Sequence, residues 1–115
     1  MKDERLYLIH IVESLERIRA YAAEGRDAFF EKTMIQDAVL RNFEVIGEAT
    51  KRLPDAYRQT APQVPWRQLA GLRDILIHQY EEVDLEEVWL YVEKEVDTLY
   101  SSLKELLGDV YPPKS

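Results

Sequence analysis

Apolar residues recur at three- and four-residue steps through most of this chain, which is the spacing of one face of an α-helix. Between residues 4 and 23 the stripe is Leu8, Ile11, Val12, Leu15, Ile18 and Ala22, and "EGRD" ends it. Asp27 is placed to cap a short turn through "AFF". Thr33 and Gln36 then have the spacing of a capping box and predict a second long helix, with Ile35, Ala38, Val39, Ile46, Ala49 and Leu53 on its apolar side. Pro54 cannot continue that helix. Within it, Gly47 costs about 1 kcal/mol relative to alanine and points to a close helix approach. Asn42, on the apolar stripe, needs hydrogen-bond partners if buried.

"PDAYRQTAPQVPW" reads as a connector with one short helical turn, and Pro65 is suited to the first position of a third helix spanning residues 66 to 80. Asp84 followed by Glu87 is an acidic form of the capping pattern. It starts a last helix with Leu85, Val88, Trp89, Val92, Val96, Leu99, Leu103 and Leu106 on one side, stopped by Gly108 and "YPPKS". The pattern predicts an all-α fold, an up-and-down bundle of four long helices plus short helical turns. Residues 1–115 read as one domain, without internal repeat or linker.

The chain has 115 residues and no cysteine, which removes disulfides, thiolate metal sites and cysteine nucleophiles from consideration. "MKDERLYLIHIV" is neither a signal peptide nor a membrane span, so a soluble, cytoplasmic protein is expected. The net charge of −7 argues against nonspecific coating of nucleic acid. Locally the balance reverses. Residues 41 to 73 hold six basic side chains (Arg41, Lys51, Arg52, Arg58, Arg67, Arg73) against three acidic ones (Glu44, Glu48, Asp55), whereas residues 74 to 99 hold nine acids against Lys94. Screening acts beyond about 8 Å, so a polyanion responds to the local patch; solvated helix faces of mixed charge are the simpler account. "EEVDLEE" lacks the glycine and ligand spacing of a calcium loop and reads as capping plus solubility. No phosphate loop, HExxH or serine-nucleophile motif is present.

The stretch "LRDILIHQY", residues 72 to 80, places Arg73, Asp74, His78 and Tyr80 in an otherwise apolar run. On a continuous helix Leu69, Leu72, Leu76 and Tyr80 form the core stripe, and Arg73 lies about 40° from Leu69. Its guanidinium then starts from the apolar side and must find an anion, with Glu48 or Asp74 as candidates, or snorkel out to solvent. Asp74 and His78 are helical neighbours, so the carboxylate can orient the imidazole. Arg73 and His78 stand about 140° apart, so a joint site needs Arg73 to curl around the helix, a local distortion, or a second copy of the helix. Taken singly, His78 is a satisfied or solvent-facing imidazole, Tyr80 a core aromatic whose hydroxyl reaches water, and His10, opposite the first helix's apolar stripe, has no evident partner.

Arg73, four residues, His78, one residue and Tyr80 reproduce the RxxxxHxY signature of the HepT family, the toxins of MNT–HepT modules within the HEPN superfamily. "LYLIHIVESLERI", "DAVLRNFEVIGEATKRLP", "PQVPWRQLAGLRDILIHQY" and "VDLEEVW" resemble the family's blocks in the family's order over nearly the whole chain. The resemblance implies a toxin of a type II/VII-like toxin–antitoxin module. Such a toxin is a homodimer with a metal-independent endoribonuclease site in the cleft between its copies and no cofactor of its own. His78 would be the general acid or base, Arg73 would hold the phosphate of the RNA substrate, and Asp74 would support one of them. It further implies a cognate minimal nucleotidyltransferase antitoxin that uses ATP and magnesium to place AMP on Tyr80. Gln79 stands where the family pattern has an aspartate, and Glu81 and Glu82 where it has a more neutral turn, which puts extra negative charge near the proposed RNA site. A noncatalytic helical homodimer that serves as binding partner of a nucleotidyltransferase is the alternative.

Overall fold

The structure, a computed structural model, describes residues 5–78 and 82–108, apart from the side chains of residues 75, 77, 78 and 82. Two long helices, α1 (Arg5–Ala22) and α3 (Thr33–Arg52), pack along one another. The stripes read from the sequence face inward: Leu8, Ile11, Val12, Leu15 and Ile18 of α1 are fully buried, as are Val39 and Ile46 of α3. Burial of each such side chain stabilises the fold by about 1.5–3 kcal/mol before the entropy of ordering is subtracted. Phe43, outside the predicted stripe, is also buried.

Between them, α2 (Arg26–Glu31) is a short helix whose Phe29 is fully buried and meets Trp89 at 5.2 Å between ring centroids. The expected caps here are not formed. Gly25, not Asp27, holds the N-cap of α2, and Lys32 that of α3. Gln36 instead donates to the carbonyl oxygens of Phe29 (3.0 Å) and Phe30 (3.2 Å), satisfying the end of α2.

The connector carries the one short helix predicted for it, α4 (Asp55–Gln59). The Trp66 indole nitrogen donates to the carbonyls of Arg58 (3.0 Å) and Ala61 (2.9 Å) and so fastens the connector to the next helix. Pro65 precedes that helix instead of opening it. The third helix differs from the expectation of one element to residue 80. It is divided at Gly71 into α5 (Trp66–Ala70) and α6 (Leu72–Leu76), and the chain is then extended as β1 (Ile77–His78). This strand pairs antiparallel with β2 (Glu82–Val83), Ile77 opposite Val83 and His78 opposite Glu82.

The last helix starts as α7 (Leu85–Tyr91), passes through a π-helical turn at Val92–Val96 and continues as α8 (Asp97–Leu107). Asp84 caps it as expected, its carboxylate accepting the Glu87 amide at 3.1 Å. Val88, Trp89, Val96, Leu99 and Leu103 join the core; toward the end Leu107 is buried and Leu106 only partly. The fold is all-α apart from the small β1/β2 pairing, and one apolar cluster runs from Leu8 to Leu107. Among the described residues no helix is long and apolar enough to cross a membrane.

Candidate functional site

Two buried leucines fix the helix that carries Arg73. Leu72 and Leu76 are 0% and 1% exposed, so α6 is anchored through them, and Arg73 and Asp74 face solvent. The guanidinium is therefore not on the apolar side. Its partner is neither Glu48 nor Asp74: Arg73 Nε lies 3.7 Å from the Glu44 carboxylate of α3, and Glu48 faces Lys51 at 3.8 Å. Leu69, Leu72 and Leu76 are buried as the helix wheel placed them, and Arg73, at the edge of that stripe, emerges beside it toward Glu44.

The 3.7 Å separation is too long for a hydrogen bond, and exposed pairs of this kind contribute about 0–1 kcal/mol. Arg73 is 58% exposed. An anion can thus reach it by displacing a weak partner, without breaking a buried network.

The end of α6 at Leu76 also changes the relation of Arg73 to His78. Side chains in an extended segment alternate from face to face and do not follow the helical 100° step. With His78 on β1, the 140° separation and the helical Asp74–His78 neighbourhood no longer apply. The helix wheel therefore supplies no reason of its own for a second chain. What the structure describes of His78 is its backbone, held opposite Glu82. Tyr80 lies outside the described residues.

Beside Arg73, a cleft of about 330 Å³ runs between α1 and α3, with Tyr7 and His10 on one wall and Arg41, Glu44, Val45, Glu48, Ala49 and Arg52 on the other. Residues 41, 45, 48 and 52 form a helical stripe on the surface of α3. Sequence reasoning weighed His10 alone and Arg41 and Arg52 only as local charge; the 41/45/48/52 spacing is the signal that groups them. A roomier groove of about 620 Å³ lies between the end of α1 and the π-helical turn, crossed by the Arg19–Asp97 ion pair at 2.8 Å. It contains no residue of the RxxxxHxY stretch.

A family model described as ribonuclease HepT-like matches residues 11–106. A "gamma-glutamylcyclotransferase and putative RNase" of Methanocaldococcus jannaschii is 40% identical over 95% of this chain and 50% of its own length, so this chain spans about half of that relative. A "putative RNase" of Caldanaerobacter subterraneus is 37% identical over 93% of this chain and 96% of its own. A "probable ribonuclease HepT" of Thermococcus cleftensis is 36% identical over 91% and 96%, respectively. No solved structure gives a significant match.

Proposed function

The chain belongs to the HepT-like ribonuclease family, and from that premise we propose that it is a toxin that cleaves RNA without a metal and is silenced by AMP transfer to Tyr80. The observation that carries this reading is that the family match spans the whole RxxxxHxY stretch, Arg73, His78 and Tyr80 included. An exposed, weakly paired Arg73 supports it.

Each residue type suits one step. A neutral His78 imidazole accepts the proton of a ribose 2′-hydroxyl, whose oxygen attacks the adjacent phosphorus. Arg73, with five N–H donors and a fixed positive charge, binds the phosphate and stabilises the added negative charge of the phosphorane. The 5′-oxygen then leaves with a proton, producing a 2′,3′-cyclic phosphate and a 5′-hydroxyl. Asp74, next in the chain to Arg73, orients the guanidinium or the imidazole. In this reading the protein acts as a homodimer, the second copy completing the cleft. A cognate nucleotidyltransferase antitoxin consumes ATP and magnesium to esterify Tyr80 with AMP. The attached phosphodiester then competes for Arg73.

The direct test compares AMP-free wild type with folded His78→Ala on RNA in the presence of a chelator. Cleavage by wild type and a loss of about 10²–10⁴-fold in the variant are expected. Equal cleavage by both would remove His78 from the reaction. A wild type that binds RNA without cutting it would favour the noncatalytic dimer. With the partner enzyme, ATP and magnesium, mass spectrometry should find AMP on wild type and none on Tyr80→Phe.

A further inference from the structure

We infer that the cleft between α1 and α3 is an RNA subsite that holds the strand flanking the scissile phosphate. Arg41 and Arg52 lie on phosphates, His10 is a further polar contact and Tyr7 is a platform for a base. The inference rests on the ribonuclease reading above.

Continuity with the proposed reaction centre is the first support. Glu44 lines the cleft and is also the residue 3.7 Å from Arg73 Nε, so the cleft opens beside the group assigned to the phosphate. Charge is the second. The two cleft carboxylates each face a cation, Glu44 with Arg73 and Glu48 with Lys51 at 3.8 Å. Arg41 and Arg52, both exposed, have no ion-pair partner among the described residues. The cleft and its immediate rim are thus net positive in a chain of net charge −7, and a polyanion within a Debye length responds to that patch.

Shape is the third support. Arg41 and Arg52 are eleven residue steps apart on α3, about 16 Å along the axis, so one strand can touch both. The opposite wall provides an aromatic ring at Tyr7 and an imidazole at His10. Cationic side chains tracking a backbone, with an aromatic face for a base, are the chemistry of single-stranded nucleic-acid binding.

The test uses a short fluorescein-labelled single-stranded RNA of mixed sequence, bound to full-length protein carrying His78→Ala so that the probe stays intact. Adding Arg41→Ala or Arg52→Ala should weaken binding roughly tenfold each and lower the slope of log K against log salt by about 0.7 per lost phosphate contact. Arg26→Ala, which breaks the exposed Arg26–Glu86 pair between α2 and α7, should change neither. With His78 intact, the cleft variants and His10→Ala should raise KM and leave kcat within about twofold, a split that a loss of folding does not produce. Wild type that cleaves RNA while Arg41→Ala and Arg52→Ala bind it with unchanged affinity and salt slope would overturn the inference. So would unchanged RNA affinity with loss of self-association in sedimentation, which would make the cleft an interface between copies. Wild type that neither binds nor cleaves RNA would instead remove the ribonuclease reading itself.

Discussion

Gly47 of α3 lies against the backbone of α5, where a β-carbon at position 47 would stand 3.4 Å from the carbonyl oxygen of Ala70 and 3.5 Å from that of Leu69. Those distances are ordinary van der Waals contact, so one methyl fits and a larger side chain does not. Gly47→Ala should therefore leave the packing intact and add up to about 1 kcal/mol of stability through helix propensity. Gly47→Leu should cost about 1–3 kcal/mol by forcing the two helices apart. Because α5 leads directly into the segment that bears Arg73, the leucine variant should also lose RNA cleavage at temperatures where it is still folded. Urea melts and an activity assay on the same samples read both effects.

Tyr91 sits where α7 meets α5, its hydroxyl donating to the Gln68 side-chain oxygen at 3.1 Å and its ring edge-on to Phe43 at 5.6 Å. Burial, with the Glu95 charge adding to it, raises the Tyr91 pKa well above the ordinary tyrosine value. The unfolded chain loses this proton near about pH 10 and the folded chain only above that, so the native state holds the extra proton in between. The Tyr91 contribution is fully present below about pH 10 and is lost as pH rises toward the folded value, at up to about 1.4 kcal/mol per pH unit. Tyr91→Phe should cost about 0.5–1.5 kcal/mol at neutral pH and flatten the alkaline limb. Denaturation midpoints from about pH 8 to about pH 11 compare the two slopes, and equal slopes would assign the pH dependence to other tyrosines.

Helix positions were legible because periodicity reports burial directly: the α1 and α3 stripes from Leu8 to Ile46 are the ones that pack. Tyr91 and Phe43 escaped because they lie beside those narrow stripes and are covered by each other and by α5. The end of the third helix was hidden for a different reason. "DILIHQY" keeps a helical apolar pattern, while Ile77 and Val83, both β-branched, pair in a strand that propensity over so few residues does not announce. Gln36 satisfied the spacing of a capping box and was recruited by the carbonyls of Phe29 and Phe30, a tertiary choice no local pattern encodes. Of the candidate site, residue identities were readable from the sequence. The Arg73–Glu44 contact was not, since it joins α6 to α3, and the relative placement of two helices is a tertiary choice that no local pattern encodes.

Asp84 joins the hairpin to the last helix. It follows β2 directly, and its carboxylate accepts the amide of Glu87 at 3.1 Å. Asp84→Ala should destabilise the protein by about 0.5–2 kcal/mol, whereas Asp84→Asn, which keeps the acceptor, should stay within a few tenths. Thermal melts measure that contrast. Native-state hydrogen exchange adds a local reading: the alanine variant should lose protection first at the start of α7, and protection unchanged there would separate the cap from the stability loss.

Glu44 is the one described acid that faces Arg73, and the two interact across solvent-exposed space at 3.7 Å. If Arg73 is to bind a phosphate, this carboxylate must yield, so it acts against the substrate twice: as a competitor for the guanidinium and as a like charge beside the incoming anion. The pair itself contributes little to folding, at most about 1 kcal/mol. Glu44→Gln retains shape and a hydrogen-bonding oxygen while removing the charge. It should leave the melting temperature nearly unchanged and tighten RNA binding several-fold at low salt, with the advantage shrinking as salt screens the lost repulsion. Glu44→Lys should tighten it further. Binding isotherms for both variants at two salt concentrations check the order. An affinity that falls on removal of the charge would mean that Glu44 positions Arg73 for its phosphate instead of competing for it, and Arg73→Lys would then be expected to lose more activity than the charge alone explains.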